Sequence, residues 1–237
     1  MKKNRIRGRL KGIFFVSGLH RLIPYRFLTF AGHLGALSAW ISRNRSTPYS
    51  DFYSGKFDYS KRYALYEHLV MTENLDSEID YLEFGVAGGH SFRWWTQHVK
   101  TPGSRFFGFD TFTGLPEDWG SFKKGDMSNG NEPPSIDDNR CSFYQGLFQQ
   151  TLPAFLKSYR RGKRLVIHMD ADLYSSTLFV LTSLSPFLNS DDIIIFDEFN
   201  VPMHEFKAFS EWVSAYYIRY NTLAASNNFY QLAVKLA

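Results

Sequence analysis

Two pairs of carboxylates close two apolar runs of the chain: Asp170 and Asp172 follow residues 165–169, and Asp197 and Glu198 follow residues 193–196. If the two runs are neighbouring strands of a parallel sheet, about 4.8 Å apart, their C-terminal tips bring these acids within reach of one another. Left alone, such crowding raises carboxyl pKa values and costs stability, and a hard divalent cation relieves it. No cysteine lies nearby, so the all-oxygen donor set favours Mg²⁺ over Zn²⁺. The plain alternative is that these acids cap the following helices or face water.

A second constellation starts where the run 79–84 ends, in Glu83-Phe84-Gly85-Val86-Ala87-Gly88-Gly89. Its glycines allow a sharp turn and close approach of backbone to a ligand, and the helix expected next offers its N-terminal dipole. Asp110 follows Gly85 by 25 residues and closes the run 105–109. An acid at that point is able to accept hydrogen bonds from two ribose hydroxyls. A dinucleotide site would satisfy both features, but Ala87 occupies the place of the middle glycine in Gly-x-Gly-x-x-Gly. A tight turn without a ligand is the bland reading of the loop alone.

These residues need a scaffold that gathers strand ends, and the chain supplies one pattern for it. Short apolar runs at 79–84, 105–109, 142–145, 165–169 and 193–196 alternate with helical patterns at 90–99, 151–159, 177–188 and 205–220. An amphipathic helix over 59–75 leads in, and 228–234 reads as an antiparallel final strand. The alternation predicts an α/β, doubly wound, mostly parallel Rossmann-like sheet with an N-terminal helical appendage. Ligands in such sheets bind beyond the carboxyl ends of the strands, where both constellations lie. Residues 1–58 form the appendage with a linker or lid at 46–58, and residues 59–237 form the catalytic domain. The segment 117–140, dense in Gly, Asn, Asp and Pro, reads as a long surface loop.

Composition narrows the function classes. Lys and Arg number 27 against 23 Asp and Glu, but the excess gathers at Lys2, Lys3, Arg5, Arg7, Arg9 and Lys11 and in the run Arg160, Arg161, Lys163, Arg164. A nucleic-acid partner is not expected, since such proteins spread charge along a whole face. The single Cys141 excludes an internal disulfide, fits a reducing, cytoplasmic setting, and reads as a structural thiol. Residues 1–45 predict one or two amphipathic helices that pack on the domain, on a partner subunit of a homodimer, or peripherally on a membrane. The apolar stretch 27–41 is shorter than the ~20 residues that span a bilayer.

Five ordered strings now carry a resemblance: residues 81–91 (Tyr-Leu-Glu-Phe-Gly-Val-Ala-Gly-Gly-His-Ser), 107–119, 144–153, 168–177 and 196–200. Together they resemble the macrocin O-methyltransferase family over about residues 60–235. The resemblance implies S-adenosylmethionine (SAM) as cofactor, with Glu83, Gly85 and Gly89 around its amino-acid portion; His90, opening the next helix, reads either as a contact to the cofactor carboxylate or as a helix-surface residue, with Ser91 beside it in the expected cofactor site. It implies Asp110 on the ribose and Gly146 and Phe148 near the adenine. It assigns Asp170, Asp197 and Glu198 to the metal, with Asp170 also beside the cofactor, and Asp172 to proton removal. Acceptors would be hydroxyls of sugars, glycans or glycosylated metabolites. The chain departs from many relatives in carrying Ala171 and Glu198 in place of Gly and Asp, and the longer arm of Glu198 alters its reach.

Other residues carry blander expectations. His168 reads as a buried core histidine, Trp94 and Trp95 as packing, and His204 with Asn200 as substrate contacts. A noncatalytic adapter docking through residues 1–45 is the second reading, against which all four acids are present; a dinucleotide-dependent oxidoreductase is the third.

Overall fold

The apolar runs become strands because they are rich in Ile, Val, Phe and Leu and are covered on both faces, as central parallel strands require. The computed structural model describes residues 2–237, with side chains from Arg7 onward; the side chains of Lys2, Lys3 and Arg5 lie outside the described residues. The strands are β1 (Tyr49–Ser50), β2 (Ile79–Phe84), β3 (Arg105–Asp110), β4 (Cys141–Gln145), β5 (Arg164–Met169), β6 (Ile193–Phe196), β7 (Tyr220–Ser226) and β8 (Gln231–Leu236). The helices are α1 (Lys2–Ser17), α2 (Tyr25–Arg43), α3 (Lys61–Thr72), α4 (His90–His98), α5 (Phe148–Ser158), α6 (Tyr174–Leu184) and α7 (Glu205–Tyr216).

One sheet holds all eight strands in the order β1-β7-β8-β6-β5-β2-β3-β4. Only β8 runs against its neighbours β6 and β7. On one face, Phe84, Ile167, Met169 and Phe196 pack against Phe155, Val180, Phe209 and Trp212 of α5, α6 and α7. On the other, Tyr81, Val166 and Ile195 pack against Leu65, Leu69, Phe92 and Trp95 of α3 and α4. The arrangement is the doubly wound, mostly parallel sheet expected from the alternation.

Register positions the site. Phe84 pairs with Met169, and Met169 with Phe196, so β2, β5 and β6 end level. The ladder runs one step further, with Asp170 N–H donating to Phe84 C=O and Asp197 N–H to Met169 C=O, both at 2.9 Å. Gly85, Asp170 and Asp197 therefore leave the sheet side by side.

Several elements differ from the expected ones. The helix predicted over 205–220 stops at Tyr216 because Tyr217 turns left-handed (φ 55°), which frees β7 to form. The final strand starts later than residue 228 because Asn227, Asn228 and Phe229 all take positive φ in a turn. Helices α5 and α6 begin three residues before the predicted starts. The 46–58 segment is a strap rather than a free linker: Ser54 N–H donates to Asn228 Oδ1 (2.8 Å) and Asp58 N–H to Asn227 Oδ1 (3.0 Å). The basic run at 160–164 is absorbed by ion pairs, Arg161 with Asp192 and Arg164 with Glu73, each at 2.7 Å.

Candidate active site

The acids converge at the strand tips as the spacing predicts. Asp170, Asp172 and Glu198 each offer a carboxylate oxygen, and the three oxygens lie within 4.8 Å of one another. Asp170 is half-buried, while Asp172, Asp197 and Glu198 are buried. Burial, then Asp197, Asp172 and Glu83, hold the Asp170 carboxyl well above the usual carboxylate range. Burial with Asp170, Asp197 and Glu205 does the same to Glu198. Asp172 is pushed up to about 7 by burial and by the charges of Asp197 and Asp110. Its backbone is left-handed (φ 56°), an unfavourable state for a non-glycine residue that the surrounding structure must enforce.

Asp197 stands just behind this trio. Its Oδ2 accepts a hydrogen bond from the Tyr59 hydroxyl and lies 3.5 Å from Arg62 Nη1, and its carbonyl accepts from Gln231 Nε2. Asp197 Oδ1 and Glu198 Oε2 are buried without a hydrogen-bond partner among the described residues. Orphaned acid oxygens beside crowded carboxyls cost several kcal/mol if left charged in a protein interior. The donor set, all carboxylate oxygen with unfilled lone pairs, fits a hard divalent cation.

Four residues of this centre were not legible in the sequence. Tyr59, at the end of the strap, has its hydroxyl pKa raised by burial and by Asp170, Asp197 and Glu198, so it stays a donor. Arg62, in the first turn of α3, stacks its guanidinium over the Tyr59 ring at 4.0 Å. Glu205, fully buried at the start of α7, accepts from Glu198 N–H at 3.0 Å and so fixes the backbone that presents Glu198. Tyr230 donates to Glu198 Oε1 at 3.4 Å. The local signal for each is only an aromatic or charged residue near a helix end or turn.

Beside the acids opens a cleft of about 290 Å³, lined among others by Gly85, Asp110, Leu115, Phe148, Asp170 and Asp172. Gly85 has φ 94°, and a Cβ there would fall 1.7 Å from the Asp170 carbonyl oxygen, so only glycine lets the two strand ends meet. Asp110 Oδ2 accepts from Val86 N–H (2.8 Å) and Ala87 N–H (2.7 Å), and its Oδ1 accepts from Phe112 N–H (2.8 Å). The Thr111 hydroxyl also donates to Oδ1 at 3.5 Å, so the carboxylate pins the glycine loop and the turn after β3 while lining the cleft.

The other expected cofactor residues do not line the cleft. Glu83 turns into the core, where it accepts from the Tyr81 hydroxyl and lies 3.5 Å from His168 Nδ1. Gly89 lies beneath Pro134 of the long loop, Ser91 is buried on α4, His90 is exposed at its start, and Gly146 stands at the turn before Leu147. His168 is a satisfied core histidine, as expected, with Tyr66 and Tyr81 hydroxyls 3.2 and 2.8 Å from its ring nitrogens. His204 accepts from Tyr174 N–H at 3.4 Å, and burial lowers its pKa, which favours the neutral ring. Asn200 donates to the Asn228 carbonyl at 3.0 Å. Trp95 is fully buried and Trp94 stacks on His98, both as packing.

The Rossmann-like sheet is shared with known methyltransferases. Residues 82–199 match a family described as a methyltransferase domain. Among solved structures the chain is similar to CalS11, a calicheamicin methyltransferase, at 21% identity over 75% of this chain and 78% of that one, with a TM-score of 0.58. An apo structure of CalS11 is described as a TDP-rhamnose 3'-O-methyltransferase; there 18% identity extends over 90% of this chain and 95% of that one, with a TM-score of 0.53. The O-methyltransferase NovP shares 19% identity over 75% and 78%, with a TM-score of 0.55. A cmcI structure with Mg and SAM shares 17% identity over 77% and 73%, with a TM-score of 0.50. No curated protein matches the chain in sequence. Likeness at these identities defines the fold, that of Rossmann-like methyltransferases; with the domain match it supports a methyltransferase.

Proposed function

We propose that this chain is a SAM-dependent, divalent-metal-assisted O-methyltransferase, related to the macrocin O-methyltransferases and acting on a hydroxyl of a sugar, glycan or glycosylated metabolite. The observation that carries the reading is the convergence of Asp170, Asp172 and Glu198 within 4.8 Å at the edge of a cleft that Gly85 and Asp110 also line. The neighbours' sugar and small-molecule acceptors, and the cmcI complex with Mg and SAM, support the finer terms of the proposal.

In this reading the sulfonium donor brings an electrophilic methyl carbon, and Asp170, Asp197 and Glu198 would hold a divalent cation, which would supply Lewis-acid polarisation of the acceptor hydroxyl. The chain's own residues do the rest. Gly85 and the loop pinned by Asp110 hold the donor against the strand tips, and the Asp110 carboxylate lining the cleft takes a ribose hydroxyl in place of its long 3.5 Å bond from Thr111. Asp172, with its carboxyl pushed up to about 7, takes the acceptor's proton as the methyl carbon–oxygen bond forms and the carbon–sulfur bond breaks, S-adenosylhomocysteine leaving as a neutral thioether. Tyr59 and Arg62 hold the Asp197 carboxylate in place through a hydrogen bond and an ion pair.

The test uses the full chain with [methyl-³H]SAM, MgCl₂ and a panel of nucleotide deoxysugars, TDP-rhamnose among them, and simple glycosides. Methyl transfer to at least one acceptor, lost in chelator, is the expected result. Failure of SAM to bind in the presence of Mg²⁺ by calorimetry would overturn the proposal.

A further inference from the structure

The N-terminal helices carry a charge and an apolar surface that the catalytic domain does not use. Ten of the chain's 27 Lys and Arg lie in residues 1–50 and none of its 23 Asp and Glu does, so the rest of the chain carries 17 cations against 23 acids. Helix α2 docks on the sheet only at its C-terminal end, where Leu37 and Trp40 are buried and Trp40 Nε1–H donates to the Tyr220 hydroxyl at 2.8 Å. Phe27, Phe30 and Leu34 continue the Leu37 stripe at helical spacing, yet they are exposed, with nothing among the described residues covering them.

The apolar surface peaks at the elbow between the helices. Gly18 takes φ 70° and reverses the chain through a short 3₁₀ turn (Leu19–Leu22) into α2. Around this turn Val16 is 90% and Leu22 79% exposed, and Phe15, Ile23 and Leu28 are exposed with them. Arg9, Lys11, Arg21 and Arg26 flank the same elbow in the open. An exposed apolar patch rimmed by cations marks an interaction site. No helix searched is long and apolar enough to cross a membrane, so the patch suits lying on a surface.

We propose that the α1–α2 elbow docks this protein on an anionic lipid bilayer, apolar side chains entering the headgroup boundary and the basic flanks facing acidic headgroups. Stable surface anchoring takes two signals, and the elbow has both. Charge complementarity selects a membrane over a second copy of the elbow: two copies face to face would bring like charges together with no acid in residues 1–50 to pair them. Each cation near the surface contributes on the order of fivefold in partitioning at low salt. The proposal is independent of the methyl-transfer reading.

The test is co-sedimentation of the full chain with phosphatidylcholine vesicles and with equimolar phosphatidylglycerol–phosphatidylcholine vesicles. The chain should pellet with the anionic vesicles and bind the neutral ones at least about tenfold more weakly. Arg21→Glu/Arg26→Glu and Leu22→Ser/Phe27→Ser should each weaken anionic binding by about tenfold or more. All four positions are exposed, so the thermal midpoint serves as an unchanged control for folding. Equal binding to both vesicles, binding to neither, or unaffected variants would overturn the proposal. So would a dimer in light scattering that Leu22→Ser/Phe27→Ser converts to monomer without changing vesicle binding, because a second copy would then cover the elbow.

Discussion

Replacing Asp170 with asparagine separates the two effects that the acid cluster has on stability. At 4.8 Å and an effective dielectric constant of ~20, two full negative charges repel by about 3 kcal/mol. Solvent and relaxation of the neighbouring acids absorb part of this repulsion, so Asp170→Asn should relieve about 1–2 kcal/mol in chelator. In a chain of this size that raises the midpoint by about 2–8 °C. A cation present at 100 times its Kd would instead stabilise the wild type by about 2.7 kcal/mol, or about 5–11 °C. The variant should therefore melt above the wild type in chelator and gain little or nothing from MgCl₂. A carboxyl whose folded pKa is raised binds its proton more tightly when folded, so its penalty is absent at acid pH and grows as pH rises. In chelator, the gap between variant and wild type should widen as pH rises above the ordinary carboxylate value of 3.8. Scanning calorimetry with chelator and with Mg²⁺ measures all of this. A variant that melts below wild type in chelator and keeps the Mg²⁺ response would refute the crowding argument.

Three further outcomes are expected. Asp172→Asn should lower turnover by about 10²–10⁴-fold while calorimetry shows SAM affinity retained, because it removes a proton acceptor and little volume. Gly85→Ala forces a Cβ to 1.7 Å from the Asp170 carbonyl oxygen at a positive φ, so circular dichroism should show either no folded protein or a midpoint lower by more than about 10 °C. Burial pushes the Cys141 thiol up to about 12, so iodoacetamide at pH 8 should alkylate the native chain at least about a hundredfold more slowly than the chain in urea, read by mass spectrometry.

What sequence reading reached and what it missed divide along a physical line. The strands β2 and β6 match their predicted bounds because each is buried along its whole length: β6 is an unbroken apolar run, and in β2 the buried Asp80 and Glu83 are partnered by Arg105 and Tyr81. Helix α7 was extended into β7 because amphipathic spacing continues past Tyr216, and a left-handed tyrosine leaves no glycine to announce the stop. Strand β1, two residues long, exists only through its pairing with β7. In the site, Asp170, Asp172, Asp197 and Glu198 were legible because strand ends are marked by their own neighbours. Tyr59 meets Asp197 from 138 positions away, and the strap that delivers it is fixed by Asn227 and Asn228 near the other end of the chain. No local pattern encodes such a meeting.

The two constellations that read separately along the chain are one mechanical object in the fold. Gly85 rests against the backbone of Asp170, and Asp110 clamps Val86 and Ala87, so the glycine turn cannot move without moving the first acid. Asp172 is held left-handed two residues further on, and Glu205 pins the amide of Glu198 from α7. Beside these favourable hydrogen bonds stand features that do nothing for stability alone: a positive φ on an aspartate, buried carboxyl oxygens without partners among the described residues, a glycine where any Cβ would clash. Their common effect is to keep a donor-binding turn and a proton-accepting carboxylate at fixed separation. Transfer between two bound groups depends on alignment far more than on the strength of any single contact, so rigidity between turn and acids is the property that this strain sustains.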